Sequence, residues 1–368
     1  MKKKKLKKSV IVFFGIFLLF LFSLFFLAEP VSTFVELLDR NYSFSISREI
    51  YEKDIADIVL DNEYSLFLDK VLQKDRYENK YLDAYFDVSY LEKENFIDYT
   101  YNLIDLGYSY EIINSFWDRL SFETISKICS NSWKEIDKYL EYSYFKEEKL
   151  ERYIAYSNGG LSISDVILRV NIGLDQKYYT DTVITDEFSH TMLVNKYYGL
   201  SEDFKVENLE KISSSYSMGD YYLEKTARNA FEKMASDMKK KKLYILANSS
   251  YRSFKDQSIT YQYYLKLNGK DYVDEYVARA GFTEHSTGLS IDIKARDYNY
   301  FKNSKEFVWL QDNAHKYGFI LRYPEGKEHI TGFKYEAWHY RYVGVDIASY
   351  IYKNNITFDE YYMMFLDK

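Results

Sequence analysis

Two short groups of chemically reactive residues stand out in the last third of this 368-residue sequence. The first contains Glu284, His285 and Asp292, and the second contains Glu336 and His339. Two imidazoles and one carboxylate can serve as the protein ligands of a catalytic zinc ion, which keeps a further position open for water. A second carboxylate then remains free to act as a base. This set of side chains points to a metallopeptidase.

Asp292 lies inside the apolar run of residues 289–293, which we expect to form a β-strand. Alternate side chains of a strand face opposite sides, so the three apolar side chains share one face and Asp292 lies on the other. An aspartate in such a strand is costly unless it is paired, protonated or bound to a metal ion. His285 and Asp292 on their own would favour a structural salt bridge, and the second group is what favours a metal ion.

Glu336 and His339 are three residues apart in a segment whose tyrosines favour a strand. In a regular strand the two side chains would face opposite sides, so we expect a bulge or turn at Ala337 and Trp338. That kink would aim His339 at the metal ion and leave Glu336 one water molecule away. The spacing differs from the helical zinc-protease motif, which has two histidines four residues apart.

Arg252 follows the predicted strand of residues 243–247 and could grip a carboxylate or stabilise an oxyanion. The alternative is an ordinary surface arginine. Ser253 and Gln257 are candidate substrate contacts, although Gln257 could instead cap a helix. Trp338 could support the kink or form a wall of the substrate cleft. Of the remaining histidines, His315 is interpreted as a packing residue, His329 as solvent-exposed and His190 as part of a loop.

The charge and cysteine content exclude some classes of function. The formal net charge is −7, and the first eight residues include six lysines and no acid, so the rest of the chain is still more acidic. An acidic body argues against nucleic acid as a partner. A single cysteine, Cys129, excludes an internal disulfide bond.

Residues 10–28 form a nearly unbroken apolar run, long enough to cross a bilayer as a helix. Lysines in front of it would keep that end in the cytoplasm and place the body outside the cell. A cleaved signal peptide and a buried soluble helix are the alternatives. We therefore expect residues 1–30 to be a lysine cluster and transmembrane anchor, which makes the chain a single-pass cell-membrane protein with an extracytoplasmic catalytic domain.

Residues 31–180 have the spacing of short helices, with a break at Gly107 and a helix start at Ser121. Residues 181–368 mix helices, the clearest at 221–240, with short strands that we expect to be mostly hairpin-linked. The strands are predicted at residues 191–194, 243–247, 289–293, 319–323, 330–333 and 339–343, with a hairpin turn at 324–327. This pattern predicts an α+β fold with an antiparallel sheet.

The motifs of residues 193–344 resemble, in order, those of the VanY-like D-alanyl-D-alanine carboxypeptidases of the LAS metallopeptidases. They are Ser250-Tyr251-Arg252-Ser253 with Gln257, Glu284-His285-x-x-Gly288-Leu289-x-x-Asp292, Trp309-Leu310-x-x-Asn313-Ala314-His315, Arg322-Tyr323-Pro324 and Glu336-x-Trp338-His339-x-Arg341.

The resemblance implies a LAS-type antiparallel-sheet domain in which His285, Asp292 and His339 hold zinc. It further implies that Glu336 is the base that activates water and that Arg252 stabilises the oxyanion or anchors the substrate. The expected activity is a zinc-dependent D,D-carboxypeptidase that removes the C-terminal D-alanine from peptidoglycan stem peptides. An L,D-carboxypeptidase acting on tetrapeptide stems, an endopeptidase and a non-catalytic cell-wall binding protein remain alternatives.

Overall fold

Short helices begun by serine caps make up the first part of the computed structural model, which describes residues 31–296 and 300–367. The hydroxyl oxygens of four serines accept a hydrogen bond from a backbone N–H in the first turn of the next helix: Ser43, Ser65, Ser109 and Ser121. Such a cap satisfies a donor that the helix itself leaves unpaired. The predicted helix start at Ser121 is confirmed, and the helices also break at Gly107, whose φ is 95°.

The chain divides into two compact units, of which the first ends at Asp137. Its helical segments are residues 31–39, α1 (Phe44–Glu52), α2 (Ala56–Asp61), α3 (Leu66–Gln73), α4 (Ala84–Asp87), α5 (Phe96–Asp105), α6 (Tyr110–Arg119) and α7 (Phe122–Asn131). Aromatic rings fill its core, where the ring centroid of Phe96 lies 4.6 Å from that of Trp117 and 5.4 Å from that of Phe67.

The second unit begins at Lys138, within α8 (Asp137–Leu140). Its further helices are α9 (Leu150–Tyr156), α10 (Ile163–Ile172), α11 (Lys225–Lys240), α12 (Phe254–Asn268), α13 (Lys270–Tyr276), α14 (Lys305–Asn313), α15 (Glu328–Thr331), α16 (Val345–Asn354) and α17 (Phe358–Phe365). Its strands are β1 (Val183–Thr185), β2 (Tyr198–Leu200), β3 (Leu209–Lys211), β4 (Tyr222–Glu224), β5 (Ile245–Ser249), β6 (Ser290–Ala295), β7 (Phe319–Leu321) and β8 (His339–Tyr342).

A four-stranded antiparallel sheet in the order β5-β6-β8-β7 forms the centre of the second unit. Two smaller pairs accompany it, β1 with β2 in parallel and β3 with β4 antiparallel. The strands of the central sheet are joined through helices, whereas we had expected mostly hairpin links. One of the connecting helices, α14, packs Phe307 and Leu310 into the core on the apolar face of the sheet.

Successive side chains of β6 point alternately to the core and to the face that carries the candidate site. Ile291, Ile293 and Ala295 are buried in the core, together with Ala227 and Phe231 on the apolar stripe of α11. Burying an aliphatic side chain of this size stabilises a fold by about 1.5–3 kcal/mol. Asp292 lies on the opposite face of the strand, as its position in the apolar run predicts.

A second core cluster joins α10 to the far side of the sheet. Ile172 of α10 is buried with Ile320 of β7 and Val343, and Ile351 and Phe358 from the last two helices complete the cluster. Residues 138–180 thus share a core with the sheet, and the division at residue 180 remains a prediction.

Two predicted strands are wrong. Residues 330–333 contain the end of α15, whose backbone turns at Gly332 with a φ of 75°. Residues 191–194 are irregular, and the Met192 carbonyl oxygen accepts a hydrogen bond from Arg341 rather than from a neighbouring strand. Both segments are apolar because they are buried, and a short buried run does not distinguish strand from other structure.

The predicted membrane anchor also requires correction. No helix within residues 31–296 and 300–367 is long and apolar enough to cross a bilayer. The longest helix in these ranges, α11, has 16 residues and carries several lysines, whereas a membrane-spanning helix needs about 20 mostly apolar residues. The run at residues 10–28, on which the single-pass membrane location depended, lies outside the described residues.

Candidate active site

His285 is held in a 3₁₀ turn, Glu284–Thr287, at the entrance to β6. Its Nδ1 lies 2.7 Å from the carbonyl oxygen of Ser250. Because a carbonyl oxygen can only accept, Nδ1 carries the proton and Nε2 keeps its lone pair. Burial, together with the nearby Arg252 cation, lowers the pKa of His285 to about 4, which favours this neutral imidazole. His285 is thus prepared as a metal ligand through Nε2.

Asp292 and His339 are directly opposite each other on β6 and β8. The Oδ1 of Asp292 lies 3.2 Å from Nδ1 of His339 and 3.5 Å from Nε2 of His285. Burial alone would raise the pKa of Asp292, but the two imidazoles outweigh it and hold the pKa well below its ordinary value. For His339, burial opposes the carboxylates of Asp292 and Glu284, which prevail and raise its pKa to about 9.

The donor atoms of His285, Asp292 and His339 lie within 4.8 Å of one another, and they fit a metal ion. The Oδ1 of Asp292 is buried and has no hydrogen-bond partner within residues 31–296 and 300–367. An unsatisfied buried carboxylate oxygen costs free energy, which a bound cation offsets. Two nitrogens and one oxygen form a ligand set typical of zinc in catalytic sites.

A turn in front of β8 places Glu336 beside these ligands. The backbone N–H of His339 donates to the carbonyl oxygen of Glu336 at 3.3 Å, so the chain turns at Ala337 and Trp338 as expected. The Oε2 of Glu336 lies 3.6 Å from Nδ1 of His339. Burial raises the pKa of Glu336 to about 7. A carboxylate with such a pKa can both accept and return a proton near neutral pH.

Arg252 points into the same cleft, and Gln257 holds it there. The Nη1 of Arg252 donates to Oε1 of Gln257 at 2.8 Å, and the Gln257 amide donates to the carbonyl oxygen of Ala278 at 2.6 Å. Burial lowers the pKa of Arg252, against the opposing effect of Asp292 and Glu336. In the described part of the chain, its Nε is buried and has no hydrogen-bond partner.

The two other predicted substrate contacts differ in their surroundings. Trp338 is 42% exposed and forms a wall of the cleft. Ser253 instead caps α12, where it accepts from the backbone N–H of Asp256, and it lines a separate groove beside Phe204. The structure thus brings Arg252, Gln257 and Trp338 to the metal ligands and gives Ser253 a structural contact.

The cleft around these residues, here called the metal-site cleft, encloses about 560 Å³. Aromatic side chains surround the polar centre: Tyr264, Tyr272, Tyr276, Tyr323, Phe333 and Trp338. Such walls exclude water and present flat apolar surfaces to a peptide.

A buried ionic cluster behind His339 was not assigned a role from the sequence. The Oε1 of Glu284 accepts from Arg322 at 2.7 Å and from Arg341 at 3.0 Å, and its Oε2 lies 3.5 Å from Nε2 of His339. Arg322 also donates to both carboxylate oxygens of Asp359, at 2.6 and 3.2 Å. Burial would raise the pKa of Glu284, but the two arginines outweigh it and keep the carboxylate ionised.

The sequence did contain a signal for this cluster. Glu284 precedes a predicted ligand, and Arg322 and Arg341 lie within otherwise apolar or aromatic strand segments, where an arginine needs a buried partner. The remaining histidines lie outside the metal cluster. His190 contacts Glu224, with its Nε2 3.0 Å from Oε2, and His315 stacks on Tyr352 at 3.9 Å.

Comparison with known proteins places this geometry in a family. A family model described as VanY, D-alanyl-D-alanine carboxypeptidase, matches residues 220–345, which contain all of the predicted ligands. A D-alanyl-D-alanine carboxypeptidase of Enterococcus faecium is 30% identical over 239 residues, which cover 61% of this chain and 74% of that protein. The chain belongs to the VanY family.

Further known proteins are similar over a smaller part of the chain. The putative carboxypeptidase YodJ of Bacillus subtilis (strain 168) is 37% identical over 179 residues, which are 46% of this chain and 66% of YodJ, slightly under two thirds of its length. A solved structure of the vancomycin-resistance D,D-pentapeptidase VanY in complex with Zn(II) has 29% identity and a TM-score of 0.42, and the match covers 47% of this chain and 98% of that one.

Proposed function

We propose that this VanY-family chain is a zinc-dependent D,D-carboxypeptidase that removes the C-terminal D-alanine from peptidoglycan stem peptides. The observation that carries the proposal is the convergence of His285, Asp292 and His339 around a buried, unsatisfied carboxylate oxygen, with Glu336 beside them. Zinc bound by these three residues would lower the pKa of a water molecule and polarise the scissile carbonyl group.

Glu336 performs the proton transfers in this proposal. Its carboxylate accepts a proton from the attacking water as the new C–O bond forms. The same carboxyl group then gives the proton to the nitrogen of the departing D-alanine as the C–N bond breaks. A pKa of about 7 serves both steps, because the group is neither too weak a base nor too weak an acid at neutral pH.

Arg252 stabilises negative charge on the substrate in this scheme. Its guanidinium group lines the cleft beside Glu336 and can donate to the developing oxyanion or to the terminal carboxylate. Gln257 contributes by fixing the guanidinium plane through its hydrogen bond to Nη1. We therefore assign Gln257 as a positioning residue.

A mass-spectrometric digest tests the proposal. The full chain is incubated with zinc and equal amounts of pentapeptide and tetrapeptide stems, and the Glu336→Gln variant serves as the control. Loss of one D-alanine from the pentapeptide alone supports D,D-carboxypeptidase activity, whereas loss from the tetrapeptide alone would move the assignment to L,D specificity. Zinc binding at about one ion per chain without cleavage of either stem would favour a non-catalytic binding role.

A further inference from the structure

A second cleft in the VanY-family unit is basic, although the chain as a whole has a net charge of −7. It encloses about 610 Å³ and shares no lining residue with the metal-site cleft. Its charged lining includes four cations, Arg169, Lys177, Lys270 and Arg279, against a single carboxylate, Asp274. Four positive charges against one negative charge concentrate positive potential in a cavity large enough for a ligand group.

Three of these cations have no counter-ion within residues 31–296 and 300–367. Lys270 forms an ion pair with Asp274 one helical turn away on α13. Among the residues that the structure describes, Arg169, Lys177 and Arg279 form no salt bridge. The guanidinium of Arg279 instead lies 4.0 Å from the ring centroid of Tyr179, an arrangement that leaves its N–H groups free to donate at their edges.

A wall formed around Lys196 separates the second cleft from the metal-site cleft. The ammonium group of Lys196 lies 4.0 Å from the ring centroid of Tyr178 and 4.5 Å from that of Phe333. Tyr178 lines the second cleft and Phe333 lines the metal-site cleft. The same ammonium donates to the carbonyl oxygens of Asp274 and Gly332, which fixes the wall in place.

The segment of residues 270–279 borders both clefts. From α13, Tyr272 and Tyr276 line the metal-site cleft, whereas Lys270 and Asp274 line the second cleft. A ligand that extends past this segment can therefore contact both cavities. The scissile end of such a ligand would lie near the metal ligands, and another group would lie near Arg169 and Arg279.

We propose that the second cleft is an oxyanion-binding site that holds a carboxylate or phosphate group of the cell-wall substrate, away from the bond that is cut. Arginine binds these planar or tetrahedral oxyanions with paired hydrogen bonds, and Lys177 adds a further positive charge. The oxyanion site follows from the lining charges, and its assignment to the substrate depends on the proposed carboxypeptidase function.

Titration of the zinc-loaded full chain with inorganic phosphate, at constant ionic strength, tests the site directly. The double variant Arg169→Gln/Arg279→Gln removes two charges while keeping side chains that can donate hydrogen bonds. We expect it to bind phosphate at least about tenfold more weakly, since hydrogen bonds from a charged guanidinium to an oxyanion are lost. Arg252→Gln is the matched control in the metal-site cleft, and phosphate binding should survive it. Equal binding by the wild type and the double variant, or a loss only in Arg252→Gln, would overturn the proposal.

A kinetic comparison identifies the source of the oxyanion. Two pentapeptide stems are compared, one with a free acidic side chain and one in which that carboxylate is amidated. A lower KM for the acidic stem that disappears in the Arg169→Gln/Arg279→Gln variant, with kcat unchanged, assigns the stem carboxylate. Phosphate binding at the cleft without this preference assigns a phosphate-bearing wall component. If neither stem is hydrolysed, the proposed function fails, while the phosphate titration still decides the oxyanion site.

Discussion

Replacement of Asp359 by asparagine is expected to destabilise the VanY-family unit strongly. Asp359 lies on α17, and Arg322 donates to both of its oxygens; the side chains of both residues are fully buried. Two arginines and two carboxylates, Glu284 and Asp359, balance one another in this cluster. The variant keeps the size of the side chain but leaves two buried arginines to share the single carboxylate of Glu284.

The magnitude follows from the cost of breaking a buried ion pair, about 3–5 kcal/mol in the free energy of unfolding. Asn195 also donates to Oδ1 of Asp359, at 2.8 Å, and the amide oxygen of the new asparagine can still accept this bond. The loss therefore comes mainly from the Arg322 side of the cluster. Since α17 packs in the core with Ile172 and Ile320, its release would expose apolar surface as well.

Urea denaturation followed by circular dichroism measures this effect, with zinc removed by a chelator so that metal binding does not mask it. Asp346→Asn is the matched control, because Asp346 is an exposed aspartate in the first turn of α16. The control should lose no more than about 1 kcal/mol. A loss in Asp359→Asn as small as that of the control would show that the cluster contributes little to stability.

Three further predictions concern residues in and behind the cleft. Glu336→Gln should lower kcat by at least about 10²-fold, the usual contribution of a general base, while the zinc content stays unchanged; full activity in this variant would remove Glu336 from its assigned role. Gln257→Ala should raise KM more than it lowers zinc affinity, because Gln257 holds the Arg252 guanidinium and contacts none of the predicted zinc ligands. Steady-state kinetics measures the change in KM, and an equilibrium zinc titration measures the change in zinc affinity. Stability should fall at acid pH through Glu284: its pKa is depressed in the folded state, so its contribution is complete above the ordinary value of about 4.3 and is lost as the pH falls below it. The difference in the free energy of unfolding between the wild type and Glu284→Gln should be smaller at about pH 3 than at about pH 6, and a constant difference would contradict this reasoning.

Local patterns predicted the face on which Asp292 lies and the turn that follows Glu336, because each depends on a few neighbouring residues. The alternation of residues 289–293 was sufficient to place Asp292 away from the core. The three-residue spacing of Glu336 and His339 required a turn, and that turn is present at Ala337 and Trp338. In both cases a few consecutive residues contain the constraint, so no knowledge of the tertiary fold was needed.

The remaining features depend on contacts between distant parts of the chain. Glu284, Arg322, Arg341 and Asp359 come from four separate elements, and their spacing in the sequence does not reveal that they meet. Gln257 was read as a substrate contact or a cap, because its bond to Arg252 exists only once α12 is formed. Residues 330–333 were assigned to a strand, since a short apolar run is equally compatible with the end of a helix.

The position of Asp359 in the sequence also determines when the buried ionic cluster behind His339 can form completely. Residues 220–345 match the family model, and Arg322 lies within them. Its partner Asp359 lies after this range, and Asn195, which donates to Asp359, lies before it. A ribosome makes the chain from the N-terminus onward, so both arginines and Glu284 are synthesised before Asp359. Without Asp359, Arg322 lacks one of its two carboxylate partners, and the two arginines outnumber the one carboxylate of the cluster. We therefore expect the charges of this cluster to be balanced only after α17 has docked.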